Sequence, residues 1–214
     1  MISGYHDNSR SNLLDLAPKD AKRVIELGCG AGAFGAELKR RTGCWITGLE
    51  FDPAAATAAG ACLDDVRCGR VEDLLDGLPW EDCDLLVCND ILEHLADPDR
   101  VLRVFAARSL RSARLLFSVP NARYIEVVVG LLLHGDWEYR EHGVLDRTHL
   151  RFFTRRSFRR LLASHDLAIE REGFSTSCRS LAFRMLDRVL LGALMEFRYM
   201  QYVGIASLPP AGGS

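Results

Sequence analysis

Residues 24–35 read Val-Ile-Glu-Leu-Gly-Cys-Gly-Ala-Gly-Ala-Phe-Gly. An apolar start runs into three glycines at alternate positions, and a helix-forming run follows from Ala33 to Arg41. The pattern predicts a strand, a tight turn and a helix in immediate succession. Glycine suits such a turn because it lets backbone approach a ligand or bend left-handed with no side chain in the way.

The rest of the chain repeats the alternation. Strands are expected at 22–27, 44–49, 65–69, 83–88, 113–119, 167–174 and 199–206. Helices are expected at 32–41, 53–62, 98–109, 155–165 and 180–196. Alternating strands and helices give an α/β fold with a mainly parallel sheet. The 214 residues suit a single domain spanning 1–214, large enough for a substantial core. One stretch breaks the rhythm. Residues 121–154 are too long for an ordinary connection, and they carry the apolar run Ile125–Leu133. Such an insertion forms a lid or binding wall, a helix packed on the core, or a membrane-touching surface. The first 20 residues read as an entry segment with one short helix, and the tail from Pro209 to Ser214 reads as disordered.

Charge and cysteine usage narrow the class. The formal net charge is −2, which gives no general pull towards nucleic acid or an anionic membrane. No signal peptide is evident at the N-terminus, and the apolar runs are too short to span a bilayer. The seven cysteines are odd in number and form no Cys-x-x-Cys, so reduced thiols and a cytoplasmic location are expected.

The glycines alone leave the ligand open. Gly28-x-Gly30-x-x-Ala33 and Gly30-x-Gly32-x-x-Gly35 both fit a dinucleotide turn, in which pyrophosphate sits at a helix N-terminus. Glu26 bears on the choice. A carboxylate beside the turn repels phosphates, most strongly in a poorly solvated cleft. S-adenosylmethionine (SAM) has no phosphate and carries a cationic amine and a sulfonium, which Glu26 suits. Capping of local backbone amides is the other role open to Glu26. Glu50 ends the second strand about 20 residues after Gly28, the spacing of a carboxylate that accepts from ribose hydroxyls. Ribose is common to both cofactors, so Glu50 supports a nucleoside ligand without choosing between them.

On Glu26-x-Gly28-x-Gly30-x-Gly32 and Glu50, the chain resembles the SAM-dependent methyltransferases of the Rossmann-like class. Two later segments sharpen the likeness. Asp84–Pro98, with Leu92-Glu93-His94 at its centre, is similar to the fourth-strand motif of the ubiquinone-biosynthesis O-methyltransferase group. Leu145–Thr154 resembles a segment of bacterial methyltransferases from glycan and polyketide pathways, and its Thr148-His149 pair also resembles the ubiquinone group. The resemblance implies a Rossmann-like, seven-stranded, mostly parallel sheet with helices on both faces. It implies SAM as cofactor, with S-adenosylhomocysteine as product. It places Gly28, Cys29, Gly30 and Gly32 near the methionine portion and ribose, and Glu50 on the ribose hydroxyls. Phe51 packs on adenine, Val71 meets the adenine edge through its backbone, and Asn89 helps place the methionine part. Relatives often carry an aspartate where Arg70 stands. Arginine has no acceptor, so either Glu72 takes over the adenine amine or cofactor affinity falls.

Methyl transfer to a hydroxyl needs an aligned acceptor and a base. His149 is the first candidate base, because it sits in the insertion that should face the methyl and its unperturbed pKa of about 6.5 suits the task. A structural histidine tying the insertion to the sheet is the alternative. His94 is the second catalytic candidate. Glu93 beside it either orients a histidine, joins other oxygens around a divalent ion, or answers a helix terminus. Tyr5, Asn121, Asp146 and Arg147 are expected on the substrate side, with Tyr5 and Arg10 folding over the cofactor and Asp146 and Arg147 paired to each other. Arg151 binds an anionic group or stays solvated. The remaining histidines have no metal-ligand spacing, and no metal site is expected.

The expected activity is SAM-dependent O-methylation of a small-molecule acceptor, a sugar or another specialised-metabolite intermediate, with quinone-like phenols as close competitors. An NAD-dependent oxidoreductase is the alternative from another enzyme class, and a SAM-binding scaffold without catalysis is the non-enzymatic one. The expected partners are the acceptor and, optionally, a second copy in a homodimer; no nucleic acid is expected.

Overall fold

The computed structural model describes residues 12–177, 181–189, 192 and 194–209. Seven strands form one sheet: β1 (Arg23–Leu27), β2 (Trp45–Glu50), β3 (Asp65–Cys68), β4 (Leu85–Asn89), β5 (Arg114–Pro120), β6 (Ala168–Ser177) and β7 (Tyr199–Ser207). Their order is β3-β2-β1-β4-β5-β7-β6. The first five run parallel, and β7 is antiparallel to both of its neighbours. This is the Rossmann-like arrangement expected from the sequence, with one reversed strand near an edge.

Helices cover both faces. Residues 12–16 form α1. The others are α2 (Ala33–Thr42), α3 (Pro53–Ala59), α4 (Val71–Leu74), α5 (Pro98–Arg108), α6 (Ile125–Val129), α7 (Arg155–Ala163) and α8 (Leu181–Val189). Alternation along the strands sorts the core into two layers. Val24, Ile46, Leu85, Val87 and Leu116 pack under Leu13, Phe34, Leu38 and Ala59, from α1, α2 and α3. Ile25, Leu49, Leu86, Cys88 and Phe117 pack under Val101, Phe105, Phe158 and Leu162, from α5 and α7. Near-continuous apolar strands are what a sheet buried on both faces requires.

Local chemistry fixes where the helices begin. Asp52 caps α3 by accepting from Ala54 N, with Pro53 at the first helical position. Asp97 and Pro98 do the same for α5, where the Asp97 side chain accepts from Arg100 N. Thr154 and Ser157 form a reciprocal capping box at the start of α7.

Two expectations need correction. Of the helix expected at 180–196, α8 covers Leu181–Val189, and a 3₁₀ turn forms at Met195–Arg198. Gly192 takes a left-handed φ of 81. The apolar run 125–133 is helical throughout but packs outside the main core. Its first half is α6, whose Val127 joins Tyr124, Val144 and Leu145 in a small separate cluster. Its second half is a π-helical turn at Gly130–His134, and Leu131, Leu132 and Leu133 lie exposed. No described helix is long and apolar enough to cross a membrane. Tyr5, Arg10, Cys178 and the tail 210–214 lie outside the described residues.

Candidate active site

The strand order reverses between β1 and β4, and ligands in open α/β sheets bind beyond the carboxyl ends of the strands at such a point. A cleft of about 890 Å³ opens there. One wall is the glycine turn after β1. The other is made by the ends of β4, β5 and β7 and by the insertion.

The turn takes three left-handed positions, Gly28 at φ 69, Gly30 at φ 55 and Gly32 at φ 81. Glycine adopts them without strain. Gly32 caps α2, and no acidic residue stands in the first turn of that helix. Glu26 lies under the turn, almost fully buried at 2% exposure, and lines the cleft. Gly35 makes room for it, since a Cβ at Gly35 would sit 2.5 Å from Glu26 Oε2. The third glycine of the sequence pattern therefore serves close packing of helix, strand and carboxylate together. Glu50 holds the turn from the side. Its Oε2 accepts from Gly30 N at 2.8 Å and its Oε1 from Asp52 N at 2.9 Å. Burial, then the charges of Glu26 and Glu50, push the Cys29 thiol up to about 12. The turn is thus an electronegative place.

Four residues expected to frame the cofactor lie beyond this cleft wall. Phe51 is exposed, with the Arg70 guanidinium 5.9 Å from its ring centroid. Arg70 Nε stands 3.9 Å from Glu72 Oε2. Val71 is buried in the core. Asn89 does line the cleft, and its buried amide has no hydrogen-bond partner among the described residues.

The opposite wall gathers Asp90, Glu93, His94, Asp146 and His149. Backbone hydrogen bonds bring the two motif segments together. Leu150 N and Arg151 N donate to Glu93 O at 2.8 and 3.0 Å. His149 Nδ1 lies 3.0 Å from Val144 O. A carbonyl only accepts, so Nδ1 carries the proton and Nε2 is left with a lone pair. That Nε2 stands 4.0 Å from Glu93 Oε1. His94 follows the same logic. Thr148 Oγ1 gives its proton to Asp146 Oδ1 at 2.6 Å, so it accepts from His94 Nδ1 at 3.1 Å. The rings of His94 and His149 meet edge to face at 4.7 Å.

Burial decides the charges. His149 is pulled below its usual pKa by burial first, partly offset by its hydrogen bond to Val144. Glu93 is fully buried, and neither carboxyl oxygen has a hydrogen-bond partner among the described residues. Burial first, then the charge of Asp90, raises its pKa well above the carboxylate range. Burial also pushes Asp146 up, but its hydrogen bonds from Thr148 outweigh that and hold it low. The ligand atoms of Glu93, His94 and His149 lie within 4.8 Å of one another. A carboxylate and two imidazoles at that separation fit a divalent ion. Sequence spacing did not suggest a metal site because the third ligand comes from the insertion.

Asp90 had no assigned role in the sequence. It holds a left-handed φ of 50, uncommon for a residue with a side chain. Its carboxylate accepts from Ser118 Oγ at 2.7 Å and from Gln201 Nε2 at 2.8 Å. Gln201 comes from the reversed strand β7, which no local motif marks.

Other expected substrate contacts are spent elsewhere. Asn121 is buried, donating to Glu196 O at 2.8 Å and Tyr199 O at 2.9 Å and accepting from Arg123 N at 3.1 Å. The expected ion pair of Asp146 with Arg147 is replaced: Asp146 accepts hydrogen bonds from Thr148, and Arg147 pairs with Glu141 at 2.6 Å on the surface. Arg151 donates to Ala96 O.

Comparisons with known proteins agree with this geometry. A family described as "Methyltransferase domain" matches residues 4–172. The chain is 29% identical over 118 residues to the ubiquinone biosynthesis O-methyltransferase of Neisseria meningitidis, covering 50% of this chain and 49% of that protein. It spans about half the length of the curated relatives it matches. In structure it is similar to a SAM-dependent methyltransferase from Archaeoglobus fulgidus, with TM-score 0.71, 17% identity and coverage of 93% and 92% of the two chains. A SAM-dependent methyltransferase from Mesorhizobium loti gives TM-score 0.65 at 18% identity, covering 92% and 96%.

Proposed function

The chain belongs to the methyltransferase-domain family, and from that premise we propose that it takes S-adenosylmethionine as cofactor and methylates a hydroxyl group on a small molecule. The observation that carries the reading is the pairing of Glu26 with a left-handed glycine turn, braced by Glu50, on one wall of the cleft, opposite a histidine with a free Nε2 on the other. The acidic wall favours a cationic amine over a pyrophosphate, which counts against a nicotinamide cofactor.

The cofactor supplies an electrophilic methyl on sulfur. The remaining work belongs to this chain. The glycine turn lets backbone approach, and Glu50 keeps it in shape by holding Gly30 N and Asp52 N. Asp90, fixed by Ser118 and Gln201, offers an acceptor to the substrate's polar groups. His149 Nε2 receives the hydroxyl proton as the oxygen attacks, and Val144 O holds the Nδ1 proton of the resulting imidazolium. Holding acceptor and methyl in line supplies much of the acceleration. The name of the curated relatives favours a phenolic hydroxyl over a sugar hydroxyl.

A second way to activate the hydroxyl is a divalent ion shared by Glu93, His94 and His149. It is favoured by the buried Glu93 carboxyl, which has no hydrogen-bond partner among the described residues. Calorimetry with SAM, S-adenosylhomocysteine and NAD tests the cofactor, and tight NAD binding without SAM binding would overturn the reading. Turnover of a panel of phenols and sugars, followed by methyl transfer from labelled SAM, tests the chemistry. Binding of SAM with no methylation across the panel would favour a scaffold.

A further inference from the structure

A second cavity lies beside the cleft, beneath the insertion. Its walls are Tyr124, Val127, Val144, Leu145 and Met200, with Glu126 and Arg140 also lining it. His142, Gly143 and Met200 line this cavity and the main cleft alike, so the two share a wall. Its volume is about 200 Å³. A dry apolar cavity of about 150 Å³ holds a benzene ring.

We propose that this side cavity is an acceptor-specificity pocket, which takes an apolar substituent of about one ring or a short alkyl chain on the molecule whose hydroxyl is methylated. The proposal rests on the methyl-transfer reading above.

Three observations support it. Tyr124, Val127, Val144 and Leu145 are buried and form a cluster separate from both sheet cores, with Met200 partly buried against them, so this part of the insertion builds a cavity and does not thicken the domain. Tyr124 presents no free hydroxyl, because its Oη is bonded to Glu126 Oε1 at 3.3 Å. A polar group placed among Val127, Val144 and Leu145 would lose water without replacement, which selects for apolar ones. The wall is also tied to the reacting end. Arg140 N bonds to Leu145 O at 2.8 Å and Asp146 N to Gly143 O at 3.2 Å, which closes the strap 140–146. Val144 O in that strap is the partner of His149 Nδ1. A group seated in the pocket therefore fixes its parent molecule relative to His149.

The test is calorimetry of phenol, 4-ethylphenol and 4-n-butylphenol on the full chain saturated with S-adenosylhomocysteine. Burial should tighten binding about fourfold per methylene. Val127→Trp and, separately, Leu145→Phe fill the pocket. Each should abolish the gain along the series while leaving phenol and S-adenosylhomocysteine affinities within about twofold. Either variant alone suffices, so failure of one to fold leaves the other to decide. A flat series in the wild type, or a gain that survives filling, overturns the pocket. Failure of the wild type to bind S-adenosylhomocysteine overturns the methyl-transfer reading and the pocket proposal that rests on it.

Discussion

His149 Nε2 lies 4.0 Å from Glu93 Oε1, and both side chains are almost completely withdrawn from solvent. The imidazole is pulled below its usual pKa and the carboxyl is pushed above its own. Burial is the first cause of both shifts, since it disfavours the charged form of each group. Between the lowered value of His149 and the raised value of Glu93, the pair is a neutral base facing a neutral acid.

That pairing sets the pH profile. A base with a lowered pKa is deprotonated further into the acid range, so the acid limb of kcat should fall below pH 6.5. His149→Ala should lower kcat by about 10²- to 10⁴-fold, with S-adenosylhomocysteine affinity nearly unchanged. Unchanged turnover would make His149 a structural residue.

Glu93→Gln tests the other partner. The folded carboxyl holds its proton more tightly than the unfolded chain, whose value is about 4.3. Its contribution is therefore fully present below that pH and is lost as pH rises towards the folded value. The variant removes this slope and should gain stability over wild type at pH 8 but not at pH 4, at about 1.4 kcal/mol per unit of raised pKa. Urea unfolding at both pH values measures it. Added Mn²⁺ should raise the wild-type melting temperature and leave Glu93→Gln unmoved, by binding the folded state.

Glu50→Ala removes the acceptor for Gly30 N and Asp52 N. Loss of hydrogen bonds to a charged group costs about 1.5–3 kcal/mol, so S-adenosylhomocysteine should bind about 10- to 100-fold more weakly by calorimetry. Glu50→Gln, which keeps one acceptor, should fall between.

Gly35→Ala places a Cβ 2.5 Å from Glu26 Oε2 and 2.8 Å from Leu63 Cδ2. The helix-propensity gain of about 1 kcal/mol is smaller than overpacking costs of about 1–3 kcal/mol, where a buried carboxylate and the Leu63 side chain must both shift. A net loss in thermal stability and weaker cofactor binding are expected. A more stable variant would show that Glu26 moves freely.

Much of this site was legible as local pattern. The strand, turn and helix around Gly28–Gly32 read directly, because a short apolar run and closely spaced glycines are local properties. Glu26 and Glu50 were legible because one lies just before the end of β1 and the other ends β2, beside that turn. Glu93 was less so: in sequence it resembles a helix-terminus charge, and only the segment Leu150–Arg151 packing onto its carbonyl shows that it is buried. Asn121 misled in the opposite sense. It stands at a strand end where ligands bind, but its amide is consumed by Glu196 and Tyr199 from a distant segment.

The sequence by itself determined the α/β alternation, the glycine turn and the acidic character of the cofactor wall. These depend on residues close together along the chain. Tertiary structure decided the other wall. It set the tautomers of His94 and His149 through Thr148 and Val144, brought Gln201 from a reversed strand to Asp90, and hollowed a cavity under the insertion. Protonation, burial and cavity shape depend on which distant segments meet, and side-chain periodicity carries no record of that.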